Sequence, residues 1–119
     1  MPAKLLKDVK QALEELNVDQ LVELYATNFL FEDIPAELCI TDRTALQEYY
    51  RHLFSTPQAS FSNIRVFEAD TFAAIEWSWG GVSNTTGKPF QVRGVSVLEL
   101  SSSKVLRESI YYDPKPALS

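Results

Sequence analysis

Hydrophobic residues recur at steps of three and four along the first part of the chain, which is the spacing of one face of an amphipathic helix. The first such stretch runs from about Pro2 to Leu16. Its apolar stripe consists of Leu5, Leu6, Val9, Leu13 and Leu16. Asn17 is a favourable N-cap for a short second helix. The apolar face of that helix consists of Val18, Leu21, Val22 and Tyr25.

A third amphipathic helix is predicted in the segment that ends at Pro57, since proline cannot continue a helix. Its start is either a cap at Thr41 or Asp42, or a capping box formed by Thr44 and Gln47. Its buried face consists of Leu46, Tyr49, Tyr50, Leu53 and Phe54.

Alternation of hydrophobic and polar residues predicts strands elsewhere in the chain. A short strand, Phe29–Asp33, precedes the third helix. After Pro57 the predicted strands are Ser60–Ala69, Thr71–Gly80, Pro89–Leu100 and Lys104–Asp113. The last two are separated by a turn at Ser101–Ser103. Helices followed by a run of antiparallel strands are typical of an α+β domain. A curved sheet with helices on one face would form a cone with an interior.

Length and composition fit one globular domain spanning residues 1–119. Hydrophobic residues make up 45% of the chain and charged residues 23%, which argues against disorder. The single cysteine, Cys39, and the single histidine, His52, argue against a disulfide framework and against the usual metal sites. No metal is therefore predicted. Cys39 is expected to fill space in the core and His52 to lie on a solvated helix face.

Charge and hydropathy narrow the expected partners. The net charge of −5 argues against a nucleic-acid partner. No apolar run approaches the ~20 residues that a membrane span needs. The N-terminal segment carries charges every few positions, which argues against a signal peptide. We therefore expect a cytoplasmic protein that binds neither nucleic acid nor a membrane.

Polar side chains interrupt the apolar faces of three predicted strands. Asp33 shares a face with Phe31, while Ser96 and Glu108 lie on the apolar faces of their own strands. A carboxyl group among aromatic rings has its pKa raised by desolvation, which suits proton transfer near neutral pH. Asp33 and Glu108 are therefore the candidate catalytic residues. Alternatives stay open: Asp33 can cap the turn before Pro35, Glu108 can lie on a solvated face, and Ser96 can be an ordinary core hydroxyl.

Aromatic residues make up 12% of the chain, with two tryptophans, five tyrosines and seven phenylalanines. Many of them fall on faces predicted to point inward. Aromatic walls are typical of small-molecule pockets, although an ordinary core also buries such residues. The candidate substrate-binding residues are Phe31, Tyr50, Trp77, Trp79, Ser96 and Tyr112.

Several segments of the chain together resemble a known family. These segments are Leu24-Tyr25-Ala26, Phe31-Glu32-Asp33-Ile34-Pro35, a third helix beginning near Asp42-Arg43, the stretch Arg93–Leu100, and the ending Tyr111-Tyr112-Asp113-Pro114. They are similar to the SnoaL-like branch of the nuclear transport factor 2-like superfamily, which includes ketosteroid isomerase and limonene epoxide hydrolase. The resemblance implies a cone-shaped α+β roll, in which three N-terminal helices pack on a strongly curved, mixed or antiparallel sheet that encloses a pocket. It also implies a homodimer.

The resemblance carries over catalytic roles only in part. Asp33 matches the position of the general base of ketosteroid isomerase. Val9 stands where that isomerase has its oxyanion-hole tyrosine, and Ser96 falls near its protonated aspartate. Ile110 stands where limonene epoxide hydrolase has one of its paired acids. SnoaL-like cyclases use a pocket aspartate as acid and base, a role that Asp33 or Glu108 could fill.

Three functions are consistent with the sequence. The first is a cofactor-independent isomerase or cyclase that removes a proton next to a carbonyl of a small apolar substrate. Asp33 would be its base, and Glu108, Ser96, Tyr50 or Tyr112 would stabilise the enolate. The second is a non-catalytic module that binds a hydrophobic small molecule in the same cavity. The third is a dimerisation domain whose cavity is filled by its own aromatic side chains. A homodimer through the open sheet face is expected, and no cofactor.

Overall fold

Three N-terminal helices pack on a curved six-stranded sheet, and a fourth, very short helix follows the last strand. A computed structural model describes residues 3–101 and 103–118. The helices are α1 (Ala3–Glu14), α2 (Val18–Glu23), α3 (Arg43–Phe54) and α4 (Lys115–Leu118). The strands are β1 (Tyr25–Asp33), β2 (Leu38–Ile40), β3 (Ser60–Glu68), β4 (Phe72–Val82), β5 (Pro89–Leu100) and β6 (Val105–Tyr112). Pro2 and Ser102, which belong to the first predicted helix and the last predicted turn, lie outside the described residues.

The strands are ordered β2-β1-β6-β5-β4-β3 across the sheet. β1 runs parallel to β6, and all other neighbours are antiparallel. Parallel neighbours need a long crossover connection. The connection from β1 to β6 contains α3 and the long strands β3, β4 and β5. The predicted α+β architecture is confirmed, with a mixed sheet that does not close into a barrel. None of the described helices combines the length and the apolar character needed to cross a membrane.

Irregular pairing accompanies the curvature of the sheet. The register of β3 against β4 shifts between Ser62 and Arg65, where Asn63 adopts a left-handed φ of 52°. A second shift, between Glu99 and Leu100, interrupts the pairing of β5 with β6. An extra residue in one strand bends that strand and increases its twist. The inner face of the bent sheet and the helices together bury the hydrophobic core.

A tight turn joins α1 to α2. Leu16 adopts a left-handed φ of 55°. Its amide donates to Leu13 O at 3.2 Å, and the Asn17 amide donates to Ala12 O at 2.9 Å. This Schellman arrangement satisfies the last carbonyl groups of the helix, so α1 ends before the predicted Leu16. The Asn17 side chain then accepts from the Gln20 amide at 3.0 Å and caps α2, as predicted.

Helix α3 begins at the predicted cap and is tied to α2. The Asp42 side chain accepts from the Ala45 amide at 3.0 Å, which settles the start of the helix in favour of an Asp42 cap. The next residue, Arg43, donates to Val22 O at 2.7 Å and to Tyr25 O at 3.1 Å. The guanidinium group therefore binds one carbonyl group in the last turn of α2 and one at the start of β1, and it fixes α3 beside α2.

The region around β1 and β2 differs from the sequence prediction. β1 begins at Tyr25, which the periodicity places in the second helix, because the backbone pairs there with Val105 of β6. β2 was not predicted, since it has only three residues. Within β2 Ile40 is buried, so the preceding Cys39 points to the opposite side and is exposed. The prediction that Cys39 fills the core is wrong, whereas His52 is exposed as predicted.

The ring of Trp77 lies directly against the backbone of Gly94. The two residues are paired across β4 and β5. A β-carbon on Gly94 would lie 2.4 Å from the nearest ring carbon of Trp77. On its other side the Trp77 indole Nε1 donates to Ser96 Oγ at 2.9 Å. The missing side chain at Gly94 therefore provides the space in which Trp77 reaches its hydrogen-bond partner.

We predict that Gly94→Ala lowers the free energy of unfolding by about 1–3 kcal/mol, because the added methyl group overpacks the site of Trp77. Urea unfolding followed by circular dichroism measures the change. Gly87→Asn is the matched control, because no atom lies within 4 Å of an added β-carbon there and asparagine tolerates its φ of 70°. An equal loss of stability in both variants would contradict the steric role of Gly94.

Candidate functional site

The helices and the inner face of the sheet enclose a cavity. The volume of the cavity is about 50 Å³. The free space between the lining atoms is about 580 Å³ when the open mouth is included. Of the sixteen described residues that line the cavity, eight are aromatic, six are aliphatic, and the remaining two are Ser96 and Glu108. The aromatic lining residues are Tyr25, Phe31, Tyr49, Tyr50, Phe61, Trp77, Trp79 and Tyr112. The aromatic side chains therefore leave room for a small group, and a larger one requires rings to move.

The predicted site residues all line the cavity except Asp33. The structure decides the orientation of β6, which the sequence left open. Glu108 is 7% exposed, and together with Ile110 and Tyr112 it faces the cavity. Leu106 has the same parity in the sequence but is 40% exposed, because the register of β6 against β5 shifts there. The solvated alternative for Glu108 is therefore wrong. Whether these residues bind or transform a ligand stays a prediction.

Glu108 lies at the centre of a hydrogen-bond network. The Tyr25 hydroxyl donates to Glu108 Oε1, and the hydroxyl oxygens of Tyr25 and Tyr50 are 2.7 Å apart. Ser96 also hydrogen-bonds to the carboxyl group. The Trp77 indole donates to Ser96 Oγ. The network therefore joins residues of four strands and of helix α3.

The direction of these hydrogen bonds follows from the protons available to each group. Tyr25 has one hydroxyl hydrogen and donates it to Glu108, so Tyr50 is the donor in the Tyr25–Tyr50 pair. Ser96 accepts from the Trp77 indole, which leaves its own hydroxyl hydrogen for Glu108. Tyr25 and Ser96 thus donate to the Glu108 carboxyl group, and Tyr50 donates to Tyr25 behind it. Such bonds stabilise the ionised form of the carboxyl group.

Burial acts against these hydrogen bonds. Desolvation raises the pKa of the Glu108 carboxyl above its usual value of 4.5, and the hydrogen bonds of the surrounding hydroxyl groups lower it by less. Burial, followed by the charge of Glu108, raises the pKa of Tyr25 and of Tyr50 well above the usual value of 10.0. Both phenols therefore keep their protons at physiological pH. A carboxyl group in this environment can accept or release a proton closer to neutrality than a solvated one.

Asp33 binds two tyrosines instead of lining the cavity. Its carboxyl is buried, and Oδ2 accepts from the hydroxyl groups of Tyr49 at 2.7 Å and Tyr112 at 3.0 Å. Oδ1 accepts from the Ala36 amide at 3.3 Å, so Asp33 also caps the turn after β1, as one alternative predicted. Burial, and then the hydrogen bond to Asp33, raises the pKa of both Tyr49 and Tyr112. Asp33 therefore orients two cavity-lining hydroxyl groups from outside the wall.

Aromatic rings form a continuous series beside the cavity, which we call the aromatic belt. The belt consists, in order, of Tyr49, Tyr50, Phe54, Phe61, Trp77 and Tyr112. Successive ring centroids are 5.4, 5.5, 5.7, 5.6 and 6.2 Å apart. All members except Phe54 line the cavity. The carboxyl group of Asp33 closes the belt, because it accepts from the first and the last member.

The Trp79 indole offers a donor that the protein itself does not use. Its Nε1 is buried and has no hydrogen-bond partner among the described residues. Trp79 lines the cavity and packs against Phe90, with ring centroids 4.9 Å apart. A buried donor without an acceptor costs about 1–3 kcal/mol. An acceptor atom of a ligand that reached this N–H would therefore be stabilised.

Tyr25 and Tyr49 were not predicted as site residues. The sequence pattern places both on apolar helix faces, where they look like ordinary core positions. Their hydroxyl partners, Glu108 and Asp33, lie 83 and 16 residues away in the sequence. The one local signal is that a buried phenol usually needs a hydrogen-bond partner. In the described part of the chain, no three His, Cys, Asp or Glu side chains cluster in a way that could hold a metal ion.

Solved structures with the same fold have low sequence identity to this chain. A protein from Catenulispora acidiphila DSM 44928 with a ketosteroid isomerase-like fold, solved in complex with trimethylamine, has a TM-score of 0.84 at 17% identity, covering 96% of this chain and 88% of that one. A candidate polyketide cyclase from Xanthomonas campestris pv. campestris has a TM-score of 0.81 at 17% identity, covering 95% and 90%. An epoxide hydrolase/cyclase-like enzyme of pyran ring formation in polyether salinomycin has a TM-score of 0.78 at 14% identity, covering 96% and 92%.

Sequence comparison identifies the family. No curated protein sequence matches the chain at a significant level. A sequence profile of the SnoaL-like domain, however, matches residues 7–108, which include Asp33, Ser96 and Glu108. That match spans most of the chain, and its fold agrees with the structural neighbours. The chain therefore belongs to the SnoaL-like domain family, as the resemblance in its sequence motifs predicts.

Proposed function

We propose that this protein transfers a proton at the carbon next to a carbonyl group of a small apolar substrate, without a cofactor. Glu108 is the group that accepts and returns the proton. One observation carries the proposal: the Glu108 carboxyl forms part of a cavity wall that is otherwise aromatic and aliphatic, apart from Ser96. Burial raises the pKa of this carboxyl, which makes it a stronger base at neutral pH than a solvated carboxylate. The structural neighbours include a candidate polyketide cyclase and an epoxide hydrolase/cyclase-like enzyme.

The hydrogen bonds around Glu108 suggest how the reaction proceeds. Ionised Glu108 removes the proton from the carbon, and the electron pair of that C–H bond forms an enolate whose charge rests on the carbonyl oxygen. Neutral Glu108 is a poorer acceptor, so the Tyr25 hydroxyl is free to donate to the enolate oxygen. Return of the proton to a different carbon gives an isomer. Alternatively, the enolate carbon attacks a second carbonyl of the same substrate, and Glu108 protonates the resulting alkoxide to complete a cyclisation.

In this proposal Asp33 is a positioning residue. It does not line the cavity, and its Oδ2 holds the hydroxyl groups of Tyr49 and Tyr112. Those two side chains belong to α3 and β6, so the carboxyl group fixes their rings relative to each other. Asp33 thereby shapes the cavity, while proton transfer takes place at Glu108.

We predict that Glu108→Gln slows deuterium incorporation next to the carbonyl of small ketones by at least about 100-fold, because general acid–base catalysis contributes a factor of this size. Exchange is followed by proton NMR in D₂O over a panel of cyclic and open-chain ketones. Asp33→Asn is the matched carboxyl-to-amide control and keeps most of the exchange activity.

Three outcomes would contradict this proposal. If Asp33→Asn abolishes exchange and Glu108→Gln does not, Asp33 is the base. If the wild-type protein binds the ketones without accelerating exchange, the chain is a binding module for small apolar molecules. A cavity that binds none of them would favour the third function, a dimerisation domain.

The raised pKa of Glu108 also predicts how stability depends on pH. Between the usual pKa of 4.5 and the higher pKa in the folded state, the folded protein keeps a proton that the unfolded chain has released. The contribution of Glu108 to the free energy of unfolding therefore falls as pH rises through this window. Urea unfolding of wild type and Glu108→Gln measures it from about pH 4 to about pH 8. The wild-type stability minus the variant stability should decrease with pH, and a difference that is constant or increases would contradict the raised pKa.

We also propose that two copies associate through the outer face of the sheet. Phe72, Val97 and Tyr111 alternate with inward-facing residues on β4, β5 and β6, and they are 54%, 43% and 46% exposed. Exposed apolar side chains on neighbouring strands favour an interface. Sedimentation equilibrium at micromolar concentration is expected to give twice the chain mass of 13.5 kDa. Val97→Arg should give the monomer mass, and a wild-type monomer would refute the dimer.

A further inference from the structure

We infer that the cavity binds a small methylated ammonium ion, a ligand class that differs from the uncharged ketone of the proposed function. Two carboxyl groups and the aromatic belt create an interior that favours positive charge. This preference for a cation does not depend on proton transfer at Glu108.

The buried interior contains two carboxyl groups that can carry negative charge. Glu108 accepts from hydroxyl groups, and Asp33 accepts from two hydroxyl groups and one amide. Among the described residues that line the cavity there is no lysine, arginine or histidine. A buried carboxylate without a positive partner is costly, and a cation in the cavity offsets that cost. The same charges oppose the entry of an anion.

The aromatic belt also favours a cation. Aromatic rings carry partial negative charge on their faces and attract cations within about 6 Å of the ring centre. The Tyr49 and Tyr112 hydroxyl groups donate to Asp33, so their oxygens keep only lone pairs for the cavity. Closing the belt through a carboxyl group therefore increases its negative potential.

The size and the polarity of the cavity select the kind of cation. A metal ion needs several oxygen or nitrogen ligands, and the described residues do not provide such a cluster. A primary ammonium group needs up to three acceptors, whereas a methylated ammonium group needs fewer or none and presents methyl groups to apolar walls. The cavity volume of about 50 Å³ suits a compact head group.

Three probes of nearly the same shape test the inference on the wild-type protein: choline, the uncharged 3,3-dimethylbutan-1-ol and the anionic 3,3-dimethylbutanoate. Both tryptophans of the chain line the cavity, so their fluorescence reports binding there. Choline is expected to bind at least about tenfold more tightly than the alcohol, the change that about one desolvated cation–π contact produces. The carboxylate should bind most weakly. Equal binding of choline and the alcohol, or tighter binding of the alcohol, would overturn the inference.

A pair of variants locates the charge that is recognised. Glu108→Gln removes the buried charge and should weaken choline binding by about tenfold without changing the affinity for the alcohol. Glu48→Gln is the control, because it makes the same change in net charge at an exposed side chain on α3. Equal effects of the two variants on choline binding would contradict the role of Glu108. Ketone exchange is measured separately, so the proposed function and this inference can fail independently.

Discussion

Two carboxyl groups are buried in an aromatic interior, and they constrain the rest of the structure because no basic side chain lines that interior in the part of the chain that the structure describes. Each needs hydrogen-bond donors, because burying a carboxyl group without them costs more free energy than the packing of its neighbours contributes. Glu108 finds them in Tyr25 and Ser96, and Asp33 finds them in two further tyrosines, Tyr49 and Tyr112. The donors come from β1, α3, β5 and β6, so satisfying these groups fixes how the helix sits on the sheet.

The packing of Trp77 connects the fold to the site. Its indole fits against Gly94 on one side and donates to Ser96 on the other. Because that bond occupies the Ser96 oxygen, the serine hydroxyl turns its hydrogen toward Glu108. A backbone position without a side chain thus influences the hydrogen bonding of a carboxyl group on another strand. Shape and electrostatics at this site cannot be changed independently of each other.

The parts that could be predicted from sequence are those that depend on local periodicity. The three-and-four spacing identified the helices, and the alternation in β5 placed Ser96 and Leu98 on the buried face. Prediction failed where pairing with a distant strand overrides local preference. Tyr25 belongs to β1 because it pairs with Val105, although its spacing fits the second helix. β2 is too short to produce a pattern, so no periodicity in the sequence indicated that Cys39 lies on the exposed side.

By itself, the sequence determined the fold class, the family motifs and a surplus of aromatic residues around two embedded acids. Tertiary structure alone decided that Glu108 faces the cavity while Asp33 lies behind Tyr49 and Tyr112. The reason is physical: alternation states which side chains share a face, but the burial of that face depends on neighbouring strands and helices. Hydrogen bonds between residues up to 83 positions apart leave no periodic trace in the chain, so they exist only once the sheet has formed.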